Sequence, residues 1–306
     1  MVSDPQRYPY SAIIDRAPLK LPNDARVAIW VAPNVEHYEY KPPANPHRNP
    51  WPMRPHPDVP NYSWRDYGNR MGVWRMFDLF DKHDIRGTVS INVAVFDHFP
   101  EIAEAMVAGN WDYMSHGIYN TRYTFAMDEA LERAMIEDVI ATVKKHTGKM
   151  ISGWLGPALS TTLRTPDLLA EYGVKYWVDY FHDDEPTEIS VKSGRMISIP
   201  YSIEINDAIA CHMGLQSGET FGQMIKDQFD VLYAEGETHP KVMAICLHPY
   251  IVNTPSREKY LDEAFAYIRS HDRVWITTGE EIADYYYTHS YGRREGLSAA
   301  PMPMVA

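Results

Sequence analysis

The sequence predicts an α/β fold in which a mainly parallel sheet closes into a barrel. Apolar, β-prone segments alternate with helical segments through most of residues 25–287, and this alternation is typical of βαβ units. Seven or eight such units in about 260 residues favour a barrel over an open sheet. The open doubly wound sheet is the alternative, but no G-x-G-x-x-G or P-loop motif follows any predicted strand.

The predicted strands share nearly continuous runs of apolar residues, as expected for strands that are buried on both faces. They lie at residues 25–35, 87–96, 111–115, 150–157, 176–181, 195–204, 241–250 and 274–278. Several of them run directly into polar or aromatic residues, which places those residues at strand ends.

The predicted helices show apolar residues at helical spacing and recognisable end signals. They cover residues 67–84, 100–109, 127–148, 165–173, 219–236 and 256–270, followed by a final helix from residue 280. In the third helix acidic residues lead, lysines end the last turn and Gly148 follows, which suits the helix dipole and the C-cap. Thr165 is the expected N-cap of the fourth helix.

We expect one domain at residues 25–290, with an extended arm at residues 1–24 and a flexible tail at residues 291–306. A proline-rich insert at residues 41–63 interrupts this domain. Eight prolines in Lys41–Asn61 exclude a helix or an inner strand there. The insert is therefore expected to be a lid, a disordered segment or an arm that grips a partner subunit.

The composition points to a soluble cytoplasmic protein. The 306 residues include 29 basic and 41 acidic ones, and the formal net charge is -12, so nucleic acid and anionic membranes are poor partners. No apolar run approaches the roughly 20 residues that span a bilayer, and the start lacks the apolar segment of an export signal. Only Cys211 and Cys246 occur, which fits a reducing compartment and excludes a cysteine zinc site.

Polar and aromatic residues follow five of the predicted strands at their carboxyl ends. These pairs are Asn34 and Glu36, His116 and Asn120, Trp154 and Pro157, Asp179 and Asp183, and His248 and Tyr250. In an α/β barrel the carboxyl ends of the strands meet at one rim, where ligands bind. A carboxylate and two imidazoles at one mouth can activate water and protonate a leaving group, and His and Glu also ligate zinc.

The order and spacing of these motifs resemble the polysaccharide deacetylase (NodB-homology) family across roughly residues 25–287. The motifs are N-x-E after the first strand, S-H-G-x-x-N after the third, then G-W-x-G-P and a late L-H-P-Y. The resemblance implies a distorted (β/α)7 TIM-like barrel. In that family an Asp-Asp pair supplies the base and a metal ligand, an H-[ST]-x-x-H motif supplies two histidine ligands, and a late histidine is the acid.

This chain departs from the family pattern at the base, at one ligand and at the R-x-P motif that steadies the base. Asn34 stands at the position of the base, and Glu36 at that of the carboxylate ligand. His116 and Asn120 stand at the two histidine positions, and His248 at that of the acid. The R-x-P motif becomes Gly156-Pro157, without the arginine. The resemblance then implies either no cofactor or a weakly held divalent metal such as zinc, with Glu36, His116 and Asn120 as its ligands.

The N-x-E and S-H-G pattern is more similar to that of one subgroup of the family. This subgroup contains metal-independent allantoinases, cyclic amide or imide hydrolases and tetrameric cytoplasmic proteins. The similarity implies a homotetramer that hydrolyses a non-peptide carbon–nitrogen bond in a small ureide, imide or N-acyl compound. We expect Glu36 to activate water, His116 to orient Glu36 or ligate the metal, and His248 to protonate the leaving nitrogen. The expected substrate contacts are Asn34, Tyr119, Asn120, Arg122, Trp154, Pro157 and Tyr250.

Two other functions stay open at this point. One is zinc-dependent N-deacetylation of amino sugar or peptidoglycan fragments, and the other is a non-catalytic barrel that binds a ligand. The cluster at residues 182–184 is interpreted as a polar loop and not as a metal site. The remaining histidines, among them His212, are expected to lie away from the mouth of the barrel.

Overall fold

The computed structural model describes residues 5–43 and 57–294. Part of the predicted arm (residues 1–4), part of the predicted insert (residues 44–56) and nearly all of the predicted tail (residues 295–306) lie outside the described residues. Within the described ranges, helices and strands alternate from the first strand to the last helix, as the sequence pattern predicts. No helix in this part of the chain is both long and apolar enough to cross a membrane.

The strands of the described chain form one nine-stranded sheet. They are β1 (Val27–Val35), β2 (Thr88–Ile91), β3 (Asp112–Ser115), β4 (Gly153–Trp154), β5 (Tyr176–Trp177), β6 (Thr187–Ile189), β7 (Met196–Ser198), β8 (Lys241–Leu247) and β9 (Val274–Thr277). Their order is β6-β7-β5-β4-β3-β2-β1-β8, with β9 also paired to β1. Between these strands every pairing is parallel except that of β6 with β7.

Helices connect most of these strands. They are α1 (Val59–Tyr67), α2 (Val73–Lys82), α3 (Ala94–His98), α4 (Pro100–Ala108), α5 (Glu129–Thr147), α6 (Thr165–Glu171), α7 (Gly218–Glu235), α8 (Glu258–Arg269) and α9 (Gly279–His289). A π-helical turn at Gly68–Gly72 joins α1 to α2, and a second one lies at Ala208–Met213.

β1 is the strand around which the sheet curls. One edge of β1 pairs with β8 over residues 27–33, while the other edge pairs first with β9 over residues 27–30 and then with β2 over residues 34–35. This edge of β1 therefore has two neighbouring strands, β9 near its start and β2 near its end. Beyond β8, a single bridge between Asn206 and Cys246 replaces regular pairing. The predicted α/β architecture, a distorted barrel of mainly parallel strands, is confirmed.

The two faces of β1 pack into different parts of the core. Ala28, Trp30 and Ala32 cluster with residues from other strands and from α9. Ile29 and Val31 belong to a larger cluster that includes the apolar faces of the surrounding helices. All nine residues of the strand are buried, which explains its continuous apolar sequence.

The amino terminus of α9 covers the amino ends of β2 and β3. Gly279 N–H donates to Thr88 Oγ1 at 2.8 Å, and Glu280 N–H donates to Asp112 Oδ2 at 3.0 Å. A carboxylate at a helix amino terminus is favoured by the helix dipole. This end of the barrel is thus covered by α9, and the carboxyl ends of the strands form the opposite mouth.

The helical segment from α1 to α2 packs tightly against the turn that follows β8. A Cβ atom at Gly72 would lie 2.0 Å from the carbonyl oxygen of Pro249, so only glycine allows this approach. In the π-helical turn Asn69 Nδ2 donates to the carbonyl of Glu36 at 2.8 Å. Single π-helical turns often occur at functional sites, and this one links α1 to the ends of β1 and β8.

Several predicted strands differ from the structure, and those predicted at residues 150–157 and 176–181 each keep only two residues as strand, in β4 and β5. The strand predicted at residues 87–96 ends at Ile91, because the Asn92 side chain bonds to the backbone of His37 and His116 and ends the ladder. The strand predicted at residues 195–204 ends at Ser198. The strand β6 was not predicted, since its three residues lie in a polar stretch.

Two predictions about helix starts are also wrong. α1 begins at Val59, inside the segment where the prolines were expected to exclude a helix. Pro60 occupies the first turn, where its missing N–H costs nothing, and Asp58 caps the helix by accepting from the Asn61 N–H at 3.2 Å. Thr165 is the first residue of α6 and not its N-cap, since its hydroxyl donates to Glu132.

Candidate active site

The carboxyl ends of β1, β3 and β8 border one cavity of about 400 Å³. Among the residues that line it are six of those predicted for the site: Asn34, Glu36, His116, Asn120, His248 and Tyr250. They come from the beginning, the middle and the end of the chain, and the curled sheet brings them to one rim. This convergence is what the strand-end motifs predicted.

Glu36 is the centre of this group. It follows the last residue of β1, and its side chain is only 4% exposed. Its Oε1 atom lies 3.4 Å from His116 Nε2 and 3.7 Å from His248 Nε2. One buried carboxylate is therefore next to both imidazoles.

Three further polar side chains surround the Glu36 carboxylate. Tyr38 OH donates to Oε2 at 2.8 Å, and Asn120 Nδ2 donates to Oε1 at 2.9 Å. Tyr250 OH lies 3.5 Å from Oε2. Because these contacts come from several directions, they fix the orientation of the carboxylate.

The surroundings of Glu36 keep it ionised. Burial alone would raise the pKa of this carboxyl, but hydrogen bonding to His116 and the charge of His248 outweigh burial and lower the pKa well below its ordinary value. The site therefore holds a carboxylate anion at neutral pH, and that anion is a weak base.

His116 is held at the end of β3 by its backbone and by one ring nitrogen. The turn after it requires Gly117, whose φ of 73° lies in the left-handed region. The ring Nδ1 lies 3.3 Å from the carbonyl oxygen of Leu155. Since that oxygen can only accept, Nδ1 carries a hydrogen, and Nε2 faces Glu36.

His248 follows the last residue of β8 and is held by Asp207. Burial alone would lower the pKa of this imidazole, but the charges of Asp207 and Glu36 outweigh burial and raise the pKa to about 10. His248 is therefore protonated at neutral pH, with Nε2 directed toward Glu36 in the cavity. A protonated imidazole next to a carboxylate is suited to general acid catalysis.

The side-chain amides of Asn34 and Asn120 form hydrogen bonds with the polar groups at the bottom of the cavity. Asn34 Nδ2 donates to Tyr201 OH at 2.9 Å and to the carbonyl of the last β8 residue at 3.3 Å. Asn120 uses its nitrogen for Glu36, and its Oδ1 accepts from the Ala158 N–H at 3.0 Å. Both amides thus position other groups, and their contact with substrate stays a prediction.

The donor set does not fit the metal site that the resemblance implies. A catalytic zinc takes three protein ligands, and no group of three His, Cys, Asp or Glu residues among residues 5–43 and 57–294 is arranged to hold a metal. The Ala158 N–H fixes the Asn120 amide with its nitrogen toward Glu36 and its oxygen already engaged. Only Glu36 and His116 of the predicted ligands keep a ligating atom at the cavity.

Several residues next to these groups were missed by the sequence analysis. Tyr38 lies two residues beyond Glu36, so the period of an extended chain could have placed both on one side. Arg65 is buried, with its guanidinium 4.5 Å from the centre of the Tyr38 ring. Tyr201 and Asp207 follow no strand-end motif, and the sequence carries no signal for either.

His212 corrects a prediction, because it lines the cavity instead of lying away from the mouth. Its ring lies 4.8 Å from that of Trp64. The π-helical turn that carries His212 was not predicted, which explains the error.

Four of the predicted substrate contacts are absent from the lining of the cavity within the described chain: Tyr119, Arg122, Trp154 and Pro157. Trp154 is fully buried in β4, and the next residue, Leu155, faces the cavity in its place. Arg122 pairs with Glu39 at 2.8 Å.

Other predicted rim residues bond to neighbouring groups and do not line the cavity. Tyr119 OH bonds to His98 Nε2 at 3.0 Å. Asp179 accepts from the Gly156 N–H at 2.9 Å. Asp183 pairs with Arg16 of the amino-terminal arm at 2.6 Å, on a different surface from the cavity.

Comparison with known proteins identifies relatives over most of the chain. The family model described as polysaccharide deacetylase matches residues 62–177. A probable polysaccharide deacetylase from Pseudomonas aeruginosa PAO1 has a TM-score of 0.77 and 30% sequence identity, over 88% of this chain and 94% of that one.

Two further relatives agree with this match. The PuuE allantoinase has a TM-score of 0.77 and 29% identity, over 88% of this chain and 93% of that one. A Schizosaccharomyces pombe protein described as a polysaccharide deacetylase is 29% identical over 250 residues, which are 76% of this chain and 78% of that protein. These matches confirm the family resemblance seen in the motifs, and this chain belongs to the polysaccharide deacetylase family.

Proposed function

We propose that this protein opens a small cyclic amide, imide or ureide by attack of water on a ring carbonyl. Its family makes it a hydrolase of non-peptide carbon–nitrogen bonds. The proposal adds that the bond it breaks belongs to a small ring. The observation that carries it is the contact of the buried Glu36 carboxylate with two imidazoles at the base of one cavity. The likeness to an allantoinase supports a ring substrate.

In the first step Glu36 accepts a proton from the attacking water. Because Oε1 lies 3.4 Å from His116 Nε2, a water bonded to Oε1 also contacts His116. The water oxygen bonds to the carbonyl carbon as its proton passes to Glu36. Since the lowered pKa makes Glu36 a weak base, the step depends chiefly on the fixed position of the water.

In the second step His248 protonates the leaving nitrogen. The carbon–nitrogen bond breaks as the nitrogen takes the proton from Nε2, and the ring opens to a carboxylic acid with a free N–H group. The proton on Glu36 then passes to His248, whose Nε2 lies 3.7 Å from Oε1. This transfer restores the starting charges of both residues.

Zinc-dependent N-deacetylation of an amino sugar is the alternative, because the matched family is described as polysaccharide deacetylase. It needs a third ligand beside Glu36 and His116. Asn120 does not offer one, since its nitrogen faces Glu36 and its oxygen is turned to the Ala158 N–H. We therefore rank ring opening first.

The test is turnover of a substrate panel by the purified protein, before and after treatment with a chelator. The panel contains allantoin, hydantoin, dihydrouracil, succinimide and N-acetylglucosamine oligomers. We expect at least one ring to open, with activity kept after chelation. Acetate release from the oligomers that depends on zinc, without ring opening, would contradict the proposal, and no turnover of any compound would favour a ligand-binding barrel.

Two variants and one control complete this test. Glu36→Gln removes the proton acceptor and His248→Ala removes the acid, and each is expected to lower kcat about 100-fold or more. The control is His289→Ala, because His289 is exposed at the end of α9 and does not line the cavity. Equal activity of all three variants would contradict the assigned roles.

We also propose a cytoplasmic homotetramer. Cys211 and Cys246 are free and buried, which suits a reducing compartment. On the amino-terminal arm Tyr10 and Ile14 are 93% and 86% exposed, and a partner subunit would cover such apolar surface. Light scattering after size-exclusion chromatography tests this, and a monomeric mass would contradict it.

A further inference from the structure

Large apolar side chains form part of the lining of the active-site cavity, and six of them are called the apolar wall here. These six are Phe125, Leu155, Leu159, Phe181, Ile203 and Met213. Five of the six are substantially exposed, from 37% for Ile203 to 70% for Met213, and only Leu155 is buried. Single exposed apolar residues are ordinary on a protein surface, but here they converge on one cavity.

These side chains come from separate segments of the chain. Phe125 lies between β3 and α5, Leu159 follows β4, and Phe181 follows β5. Ile203 follows β7, and Met213 ends the second π-helical turn. The wall is therefore a product of the barrel's connecting loops, and not one face of a single amphipathic helix.

The backbone that carries Leu159 is strained. Ala158 and Leu159 have φ values of 49° and 58°, in the left-handed region that is unfavourable for L-residues. The Ala158 N–H is held by the Asn120 side chain, which also bonds to Glu36. Strain of this kind persists where the surrounding contacts enforce it and often marks a functional site. Here it places a leucine, 45% exposed, on the cavity.

The same cavity also presents polar and charged groups. Glu36 and His248 lie at its base, and the buried Arg65 lies beside Tyr38. A substrate bound there presents its reacting amide to the charged groups and the rest of its body to the apolar wall. A bare five-membered ring leaves much of a cavity of about 400 Å³ unfilled, since pockets of about 300–1,000 Å³ bury drug-sized ligands.

We propose that the apolar wall selects ring substrates that carry an alkyl or aryl substituent next to the reacting amide. This inference rests on the proposed ring-opening function. A substituent that packs on Leu159, Phe181 and Ile203 is removed from contact with water. Apolar pockets favour the larger of two substrates about tenfold or more for each additional methylene group. The hydroxyl groups of an amino sugar would lose water against the same wall without gaining hydrogen bonds.

The experiment compares succinimide with 2-phenylsuccinimide as substrates of the full-length protein. Both are five-membered imides, and each kcat/KM is divided by the rate constant for hydroxide-catalysed opening of the same ring. We expect the phenyl compound to be favoured about tenfold or more. The Leu159→Asn variant is expected to lower this preference about tenfold.

The design separates specificity from folding. Asparagine tolerates the left-handed backbone at position 159, so the Leu159→Asn variant should keep its thermal stability. The matched control is Leu163→Asn, because Leu163 is 92% exposed and does not line the cavity. Ile203→Thr, which keeps the branched Cβ but is shorter and adds a hydroxyl, is a second variant that should lower the preference.

The outcomes distinguish this inference from the function on which it rests. Opening of both rings with equal normalised rates overturns the selectivity and leaves the ring-opening function standing. A preference that Leu159→Asn and Ile203→Thr leave unchanged, or that Leu163→Asn lowers as much, overturns the role of the wall. Failure to open either imide overturns this inference, and failure to open any ring of the wider panel overturns the proposed function as well.

Discussion

Asp207 accepts two hydrogen bonds from the same residue, His248. Its Oδ1 lies 2.7 Å from the ring Nδ1, and its Oδ2 accepts the backbone N–H at 2.8 Å. The pair of contacts fixes both the tautomer and the direction of the ring, so Nε2 carries its hydrogen toward the cavity. Asp207 is completely buried, and its attraction for the imidazolium is therefore little screened by salt.

The Asp207→Asn variant should lose the acid of the proposed reaction at neutral pH. The amide cannot stabilise a charged imidazole as the carboxylate does, so the pKa of His248 falls from about 10. We expect the alkaline limb of kcat/KM, near pH 10 in the unaltered protein, to move to lower pH, and kcat to fall about 100-fold. Asp183→Asn is the control, because Asp183 pairs with Arg16 away from the cavity. An unmoved alkaline limb would refute the assignment.

The same pair makes stability depend on pH. The pKa of His248 is raised on folding from an ordinary 6.5 to about 10. A group with a raised pKa contributes stability that is fully present below its unfolded value and is lost as pH rises through its folded value. We expect the urea midpoint to fall more steeply between pH 7 and pH 10 in the unaltered protein than in the Asp207→Asn variant. Parallel curves for the two proteins would contradict this linkage.

Tyr38→Phe tests the support of the carboxylate. The hydroxyl donates to Glu36 Oε2 and accepts from Asn120 Nδ2, so its removal loosens the carboxylate and raises the pKa of Glu36. We expect kcat to fall about tenfold and the acid limb of the rate profile to move to higher pH. Tyr62→Phe is the control, since Tyr62 is half-buried in α1 and does not line the cavity. A fall in activity with an unmoved acid limb would assign Tyr38 to substrate binding instead.

The part of the site that could be predicted from the sequence is the part that follows strands directly. Glu36 and His248 come one residue after β1 and β8, so locating each strand also locates the residue at the rim. Trp154 and Leu155 show the limit of this reasoning, because a shift of one residue moves a side chain to the other face of a strand. The apolar pattern could not decide between those two neighbours.

Arg65 and Asp207 could not be predicted for a different reason. They lie on helical segments, and only the packing of those segments against the barrel brings them to Tyr38 and His248. The approach of α1 and α2 depends on glycines at Gly68 and Gly72, whose close contacts are with the turn after β8. Contacts between elements that are distant in sequence leave no local pattern in the chain.

Gly72→Ala is expected to disturb both stability and activity. The added Cβ would lie 2.0 Å from the Pro249 carbonyl oxygen, so the helix or the turn after β8 must move, at a cost of about 3 kcal/mol. Because His248 precedes Pro249, we expect kcat to fall as well. Urea unfolding and steady-state kinetics measure the two effects.

The comparison for that variant is Gly148→Ala at the end of α5. A Cβ there meets no atom within 4 Å, and the only cost is its left-handed φ of 73°, about 1 kcal/mol. We expect its activity to equal that of the unaltered protein. A Gly72→Ala protein with the same small loss of stability would show that α2 does not brace the turn.

Asn120→His tests why the site lacks a complete set of metal ligands. The imidazole would replace an amide whose oxygen is occupied by the Ala158 N–H, and it would add a third ligand to Glu36 and His116. We expect the variant to bind zinc at least about tenfold more tightly than the unaltered protein. Calorimetric titration with zinc measures the difference.

Asn110→His, on an exposed turn, is the control for this gain, because it adds an imidazole to the chain away from Glu36.

The unaltered protein should keep its activity after chelation, since the proposed proton transfers run between water, Glu36, His248 and the substrate. One tightly held zinc per chain in the unaltered protein, removed together with its activity, would instead mean that Glu36 and His116 recruit a further ligand. The deacetylase alternative would then replace ring opening as the better account of the site.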